Sequence, residues 1–355
     1  MSLRKRYRTA VEEGFPDEIR IRIGGDERLY RKAMSLRYGE NPHQPAAFYS
    51  PAEGPLTVGG LRLLKTGKSG LSMTNVQDVD NAMRIVGYFG EPACAVMKHV
   101  NPSGAAVRNG PGEPLREVYR KARDCDALAA YGSVVGFNAP VDEATAEEIM
   151  GSYVEAVVAP GFEAGCMGHF EEKRDIRVIQ VTGLDRISRW AGDPMEPLDI
   201  AVMMDGSLVL QAPMLTKVRS PEDLRWVTRR QGTAQEARDL LFSWYVCMNV
   251  RSNGVVLSKG GATIGVGTGQ QDRVTAVKLA LEKAEMRGHR DEVPGSVLAS
   301  DGFFPFRDSV DLLAEYGVTV CVQPGGSVQD KEVIDACDEA GIVMAFTDER
   351  CFRHF

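Results

Sequence analysis

The stretch Cys94-Ala95-Val96-Met97-Lys98-His99-Val100-Asn101-Pro102-Ser103-Gly104 decides how the rest of the chain is read. An apolar run ends on two adjacent ionisable residues, and the Asn-Pro and Ser-Gly pairs behind them read as a turn. The pattern predicts a buried strand whose C-terminal end opens into a loop, where open α/β sheets place their ligand crevices. Alone, a Lys-His pair beside a turn reads equally well as a solvated loop. The flanking chain has to decide.

Outward from this strand the pattern alternates. Upstream, apolar residues at 76, 79, 82, 83 and 86 keep a helical period, with Ser72 or Thr74 as the cap. Downstream come a helix over 114–124, a strand from Tyr131 to Phe137, a helix from Asp142 to Gly151, and strands at 156–159 and 176–181. Asp205-Gly206 between apolar arms predicts a hairpin. Pro213, Pro221 and Gly232 break the pattern over 211–232. Thr233-x-x-Glu236 then reads as a capping box, Lys259-Gly260-Gly261 as a hairpin turn, and Asp272 as a helix cap. Short buried strands at 297–298, 318–322 and 342–346 alternate with helices over 308–316 and 330–340, which end on Gly317 and Gly341. The expectation is a layered α/β fold with mixed sheets, its second half structurally repeating the first. The expected division is an N-terminal extension over 1–35, one subdomain over 36–220 and another over 221–355.

Composition removes several classes of function. The chain has 355 residues, 43% hydrophobic and 26% charged, with a net charge of −7 and no long basic block. Neither a general nucleic-acid surface nor a membrane span of about 20 apolar residues is expected. The basic start at Arg4, Lys5, Arg6 and Arg8 lacks a secretory apolar segment, so the cytoplasm is the expected location. Seven cysteines without a C-x-x-C pair point to reduced core thiols rather than disulfides or structural zinc.

Six other stretches invite a chemical reading. Leu36–Gln44 is a polar loop. Gly67-Lys68-Ser69 imitates the end of a phosphate-binding loop, but Arg62 stands where its first glycine belongs. Arg251-Ser252-Asn253-Gly254 lies at a helix-to-strand junction, and Gly265–Arg273 is a glycine-rich run into a helix start, suited to anionic ligands. Ser300–Asp308 carries three aromatics between Asp301 and Asp308, either a core plug or a platform for a flat heteroaromatic ligand. Gln323–Val328 is either a tight turn or a backbone-donor site. The histidines at 43, 99, 169, 289 and 354 lack zinc spacing. His169 and His289 read as surface, and His354 as part of a docked tail. Acid–base transfer chemistry is favoured over metal or covalent catalysis.

Taken in order, Leu36–Gln44, Lys98-His99-x-Asn101-Pro102-x-Gly104-Ala105, Ala159-Pro160-Gly161-Phe162, Ser252-Asn253, Ile264–Arg273, Ser300–Asp308, Pro324-Gly325-Gly326-Ser327 and Arg350-x-Phe352-x-His354 resemble one family. It is the AICAR transformylase part of the bifunctional purine-biosynthesis protein. The resemblance runs from about residue 36 to the end. It implies two cytidine-deaminase-like three-layer α/β subdomains without zinc, a homodimer with interfacial active sites, and AICAR and folate as small-molecule partners. The implied reaction moves a formyl group from 10-formyltetrahydrofolate to the 5-amine of AICAR, giving FAICAR, with no metal required.

By the same resemblance, Lys98, His99 and Asn253 are catalytic: His99 as base, Lys98 as oxyanion partner or proton donor, Asn253 as holder of the reacting group. The implied AICAR contacts are Arg37, Tyr38, Gly132, Glu155, Arg273, Phe303 and Arg350; Glu155 replaces an aspartate of relatives. The implied folate contacts are Val274, Asp308, Ser327 and Val328. Residues 1–35 look unrelated to the family's cyclohydrolase domain, so no cyclohydrolase activity is expected. Ser133 and Arg353 depart from relatives, which leaves no basis for a monovalent-cation site near the tail. A non-catalytic AICAR- or folate-binding protein of the same fold is the competing reading. A formate-and-ATP donor ranks below both, for want of an ATP-phosphate motif.

Overall fold

The computed structural model describes residues 10–67, 69–194 and 199–354. They fall into two compact units, one running as far as Arg186 with 260–264 added, the other comprising 187–259 and 265–354.

The first unit opens with β1 (Glu18–Ile23), β2 (Asp26–Leu36) and β3 (Ala46–Pro51), a three-stranded antiparallel sheet. Ile19, Ile21 and Ile23 alternate with exposed charges, the expected strand signal, and β2 and β3 extend it into a sheet. Next come β4 (Arg62–Lys65), α1 (Met73–Val86), β5 (Ala93–Lys98), β6 (Asn101–Val107) and α2 (Leu115–Asp124). They are followed by β7 (Ser133–Phe137), α3 (Glu143–Met150), β8 (Val154–Ala159), α4 (Cys166–Glu171) and β9 (Arg177–Gln180). Pairing runs β6–β5–β7–β8–β9–β4, parallel from β7 to β9 and antiparallel elsewhere.

Strand alternation builds the layers. Cys94, Val96, Val135, Phe137, Val157 and Ala159 share one buried cluster with Val118, Tyr119 and Phe170 of α2 and α4. On the opposite face a Cβ at Gly136 would come within 2.6 Å of Ala82 Cβ, which shows how closely α1 lies on the sheet. Ser72 starts α1: its hydroxyl accepts the Asn75 N–H at 3.2 Å, and the Asn75 side chain returns the bond to Ser72 N–H at 3.1 Å.

In the second unit, the hairpin of β10 (Asp199–Val202) and β11 (Leu208–Gln211) turns at Asp205-Gly206 as expected, and all its strand residues are exposed. Behind it follow β12 (Arg225–Trp226), α5 (Ala234–Cys247), β13 (Val255–Lys259), β14 (Ala262–Gly267), whose first three residues are counted with the first unit, and α6 (Arg273–Met286). The chain ends with β15 (Val297–Ser300), α7 (Asp308–Tyr316), β16 (Val320–Gln323), α8 (Asp330–Ala340) and β17 (Val343–Phe346). Thr233 and Glu236 form the expected capping box of α5, and Gly317 and Gly341 close α7 and α8 in the left-handed conformation. Pairing runs β13–β15–β16–β17–β12, parallel from β15 to β17 and antiparallel at both ends. That is the order of β5–β7–β8–β9–β4, with the helices inserted at the same points of the chain. Each unit is thus a mixed α/β layer structure, and the expected repeat is present in topology.

Candidate active site

The Lys98-His99 pair lies at the C-terminal end of β5, as expected, but the strand opens into a two-residue hairpin turn rather than a loop. Lys98 pairs with Asn101, so His99 and Val100 are the two central residues of a tight hairpin, with φ of 54° and 66°. Such turns favour Asn-Gly, because both positions are left-handed. Asn101-Pro102 and Ser103-Gly104, expected as a turn, belong to β6. Proline is tolerated there because the β5–β6 register shifts between Val96 and Met97, opening a bulge at Ser103 whose hydroxyl donates to Val96 C=O at 3.1 Å.

The turn is held from α1. Val100 N–H donates to Asp78 Oδ1 at 2.6 Å, and the His99 backbone bonds the same carboxylate. Asp78 is buried, and loss of hydration pushes its carboxyl up to about 6, against the pull of those bonds and of Lys98. Lys98 turns its ammonium onto the Gly132 carbonyl at 2.7 Å. Gly132 is left-handed (φ 74°), and a Cβ there would stand 2.9 Å from Lys98 Nζ. The His99 side chain is exposed.

Around this turn the same unit gathers buried charge. Glu155 accepts from Asn75 Nδ2 at 3.1 Å. Arg37, 8% exposed, lies over the Tyr38 ring and donates to its hydroxyl at 2.9 Å; its buried Nε has no protein partner. Arg177 on β9 is buried too, and burial and repulsion from Arg37 together depress its pKa, while Glu155 opposes them. Two buried guanidiniums with one nearby carboxylate suit an anion. Asp78 and Arg177 are not among the residues to which the sequence motifs point. An aspartate inside a helical pattern and an arginine inside a strand pattern carry no local signal.

The second unit holds its own constellation. Arg273 donates to Asp301 Oδ1 at 2.6 Å, to Gly254 C=O at 3.2 Å and to Asn253 Oδ1 at 2.5 Å. Asn253 Nδ2 donates to Gln270 C=O at 2.8 Å, so its carboxamide is fixed at both ends. Asp301 is fully buried and accepts Gly254 N–H at 2.8 Å. Burial outweighs the guanidinium and raises its pKa. Asp301 therefore anchors Arg273 rather than flanking the aromatics.

The three phenylalanines divide. Phe304 is a core plug, fully buried, whereas Phe303 and Phe306 are exposed. Phe303 and Arg350 line a cavity of about 380 Å³ with Pro324, Gly325, Gly326, Asp348 and Glu349. Arg350 stacks on Phe352 at 4.3 Å, and Arg353 donates to Asn249 at 2.6 Å, so the tail is docked as expected. The 323–328 segment is a tight turn with satisfied donors. Gly325 N–H donates to Gln323, and Gly326 and Ser327 N–H donate to Asp330. Val328 is fully exposed, Val274 is half-buried on α6, and Asp308 bonds the N–H of Ser309 at the start of α7. His289 is half-buried against Glu292 at 2.7 Å, and His169 lies 3.4 Å from Glu143. Lys68 of the discarded phosphate-loop imitation lies outside the described residues. Among the described residues no three His, Cys, Asp or Glu side chains gather to hold a metal, and no helix is long and apolar enough to cross a membrane.

Comparison with known proteins bears on these constellations. The family model of the AICARFT/IMPCHase bienzyme matches residues 4–283, so the match begins within the N-terminal extension rather than at about residue 36. The bifunctional purine biosynthesis protein PurH of Roseobacter denitrificans is 43% identical over 331 residues, 91% of this chain and 60% of the relative. PurH of Aquifex aeolicus is 39% identical over 336 residues, 94% of this chain and 62% of the relative. PurH of Anaeromyxobacter dehalogenans is 41% identical over 329 residues, 92% and 60% respectively. The chain thus spans about 60% of the length of the curated relatives it matches. It belongs to the AICARFT/IMPCHase bienzyme family.

Proposed function

We propose that this chain is an AICAR formyltransferase of purine biosynthesis, using 10-formyltetrahydrofolate as its folate-type donor. The observation that carries the reading is the Lys98-His99 hairpin of a family member, which holds the Lys98 ammonium on the Gly132 carbonyl and presents the exposed His99 beside it in a turn clamped by Asp78.

The AICAR amine is a weak nucleophile, so its proton has to leave as it attacks the formyl carbon. His99 takes that proton, an imidazole being suited to the task near neutral pH. The tetrahedral oxyanion is met by the Lys98 ammonium. Collapse breaks the bond from carbon to folate N10, and N10 regains a proton, leaving FAICAR and tetrahydrofolate. Asn253, its carboxamide fixed by Arg273 and Gln270, orients the reacting group. Arg37, Tyr38, Gly132, Glu155, Arg273, Phe303 and Arg350 bind AICAR. Val274, Asp308, Ser327 and Val328 bind the folate.

Residues 36–220 and 221–355 are two cytidine-deaminase-like subdomains; the matching strand orders of the two units support the repeat, while the compact units themselves divide after Arg186. The chain works as a homodimer with interfacial sites, supported by the apolar side chains of Val202, Leu208, Val209 and Leu210 left to solvent on the β10–β11 hairpin. It works in the cytoplasm, supported by seven buried cysteine thiols. Calorimetry of AICAR binding beside a turnover assay tests the proposal: binding with turnover supports it, whereas binding without turnover favours the non-catalytic reading.

A further inference from the structure

We propose that Asp78 is a positioning residue for formyl transfer: from α1 its carboxylate clamps the His99–Val100 turn and so aims the His99 imidazole. The inference rests on the formyltransferase reading and adds to it a residue that never touches substrate.

Three observations carry it. First, both central residues of the turn are non-glycine and left-handed, and one is β-branched, a combination the backbone alone disfavours. Second, neither central residue is the glycine or asparagine that such a turn favours, and Asn101 behind them reaches only the His99 C=O, at 3.3 Å, so the Val100 N–H needs an acceptor from elsewhere. Third, the Asp78 carboxylate supplies the missing acceptor, bonding Val100 N–H at 2.6 Å and the His99 backbone. The helix carrying it is fixed in turn by the Ser72–Asn75 capping box, and Asn75 reaches Glu155.

The charges that act on Asp78 are Lys98 and Glu155, of opposite sign. A buried carboxylate that served only packing would be replaced at little cost by a neutral residue of the same shape. Here its oxygen is the acceptor that offsets the strain of the turn. Without it, the hairpin relaxes toward an ordinary conformation and the imidazole moves.

The experiment compares the wild-type chain with Asp78→Ala and Asp78→Asn in two readouts. These are steady-state turnover with AICAR and 10-formyltetrahydrofolate, and hydrogen exchange at the Val100 amide. Asp78→Ala is expected to lower kcat about a hundredfold, the size expected from misplacing a reacting group by an ångström, with KM for AICAR within about threefold. Val100 exchange should rise in parallel. Asp78→Asn keeps the shape and one acceptor oxygen and should recover about tenfold of the lost turnover, which loss of fold would not allow. Unchanged kcat in Asp78→Ala, or an unprotected Val100 amide in the wild type, overturns the proposal. A wild type without turnover, whose Val100 amide is protected only while Asp78 is present, counts against formyl transfer and for the clamp.

Discussion

Arg273 meets Asp301 at 2.6 Å where the two side chains are only 5% and 0% exposed. The pair is an anchor for Asn253, because the other arm of the guanidinium holds the Asn253 carboxamide oxygen. Removing one partner strands the other charge without water. Asp301→Ala is therefore expected to cost about 3–5 kcal/mol of stability, measured by urea unfolding. An Arg273→Met, Asp301→Leu double variant should recover part of that loss while remaining inactive. A loss below 1 kcal/mol in the single variant would show that the pair anchors nothing.

Gly132 is needed twice, for its left-handed backbone and for the space that Lys98 Nζ occupies. Gly132→Ala should cost about 1–2 kcal/mol for the backbone alone. The lysine tip has to shift and the Tyr153 ring, 3.3 Å from that Cβ, has to give slightly, so turnover should fall about tenfold rather than vanish. Wild-type turnover in this variant would separate Lys98 from the Gly132 carbonyl in function.

Val100 is β-branched at φ 66°. Val100→Gly should raise stability by about 1 kcal/mol by removing that strain, and lower kcat because the turn becomes freer. Thermal melts and initial rates on one preparation check both halves. A variant that loses stability would mean that side-chain contacts of Val100 outweigh its backbone strain.

Asp78 makes stability depend on pH in a definite direction. Its carboxyl is pushed from 3.8 up to about 6 in the folded chain. The folded state thus holds that proton more tightly than the unfolded state. The contribution is complete below about pH 4 and is lost as pH rises through about 6, on the order of 3 kcal/mol across the window. Asp78→Asn should accordingly gain on the wild type at pH 8 and not at pH 4, in parallel unfolding curves. Equal differences at both pH values would remove the buried charge from the explanation.

Much of this was legible in the sequence. The apolar run at 93–98, the capping boxes and the glycines after α7 and α8 predicted elements that the structure contains, because each signal is local. The two-residue turn at His99–Val100 is not legible because neither central residue is Gly or Asn, and the acceptor for Val100 N–H is Asp78, about twenty residues upstream. Asn101-Pro102 looked like a break only because the bulge that accommodates it is a property of strand pairing. Asp301 was read as a flank of the aromatics, since nothing in its neighbours announces a buried arginine 28 residues away. Phe303, Phe304 and Phe306 look alike in sequence and differ in which way the backbone turns them.

The most direct test of formyl transfer is a turnover assay on the purified chain with AICAR and 10-formyltetrahydrofolate, following FAICAR and tetrahydrofolate together. The two products should appear in equal amounts, and His99→Ala should reduce the rate by about a thousandfold, within the range lost with a general base. A well-folded wild-type chain that binds AICAR and yields no FAICAR would contradict the proposed activity.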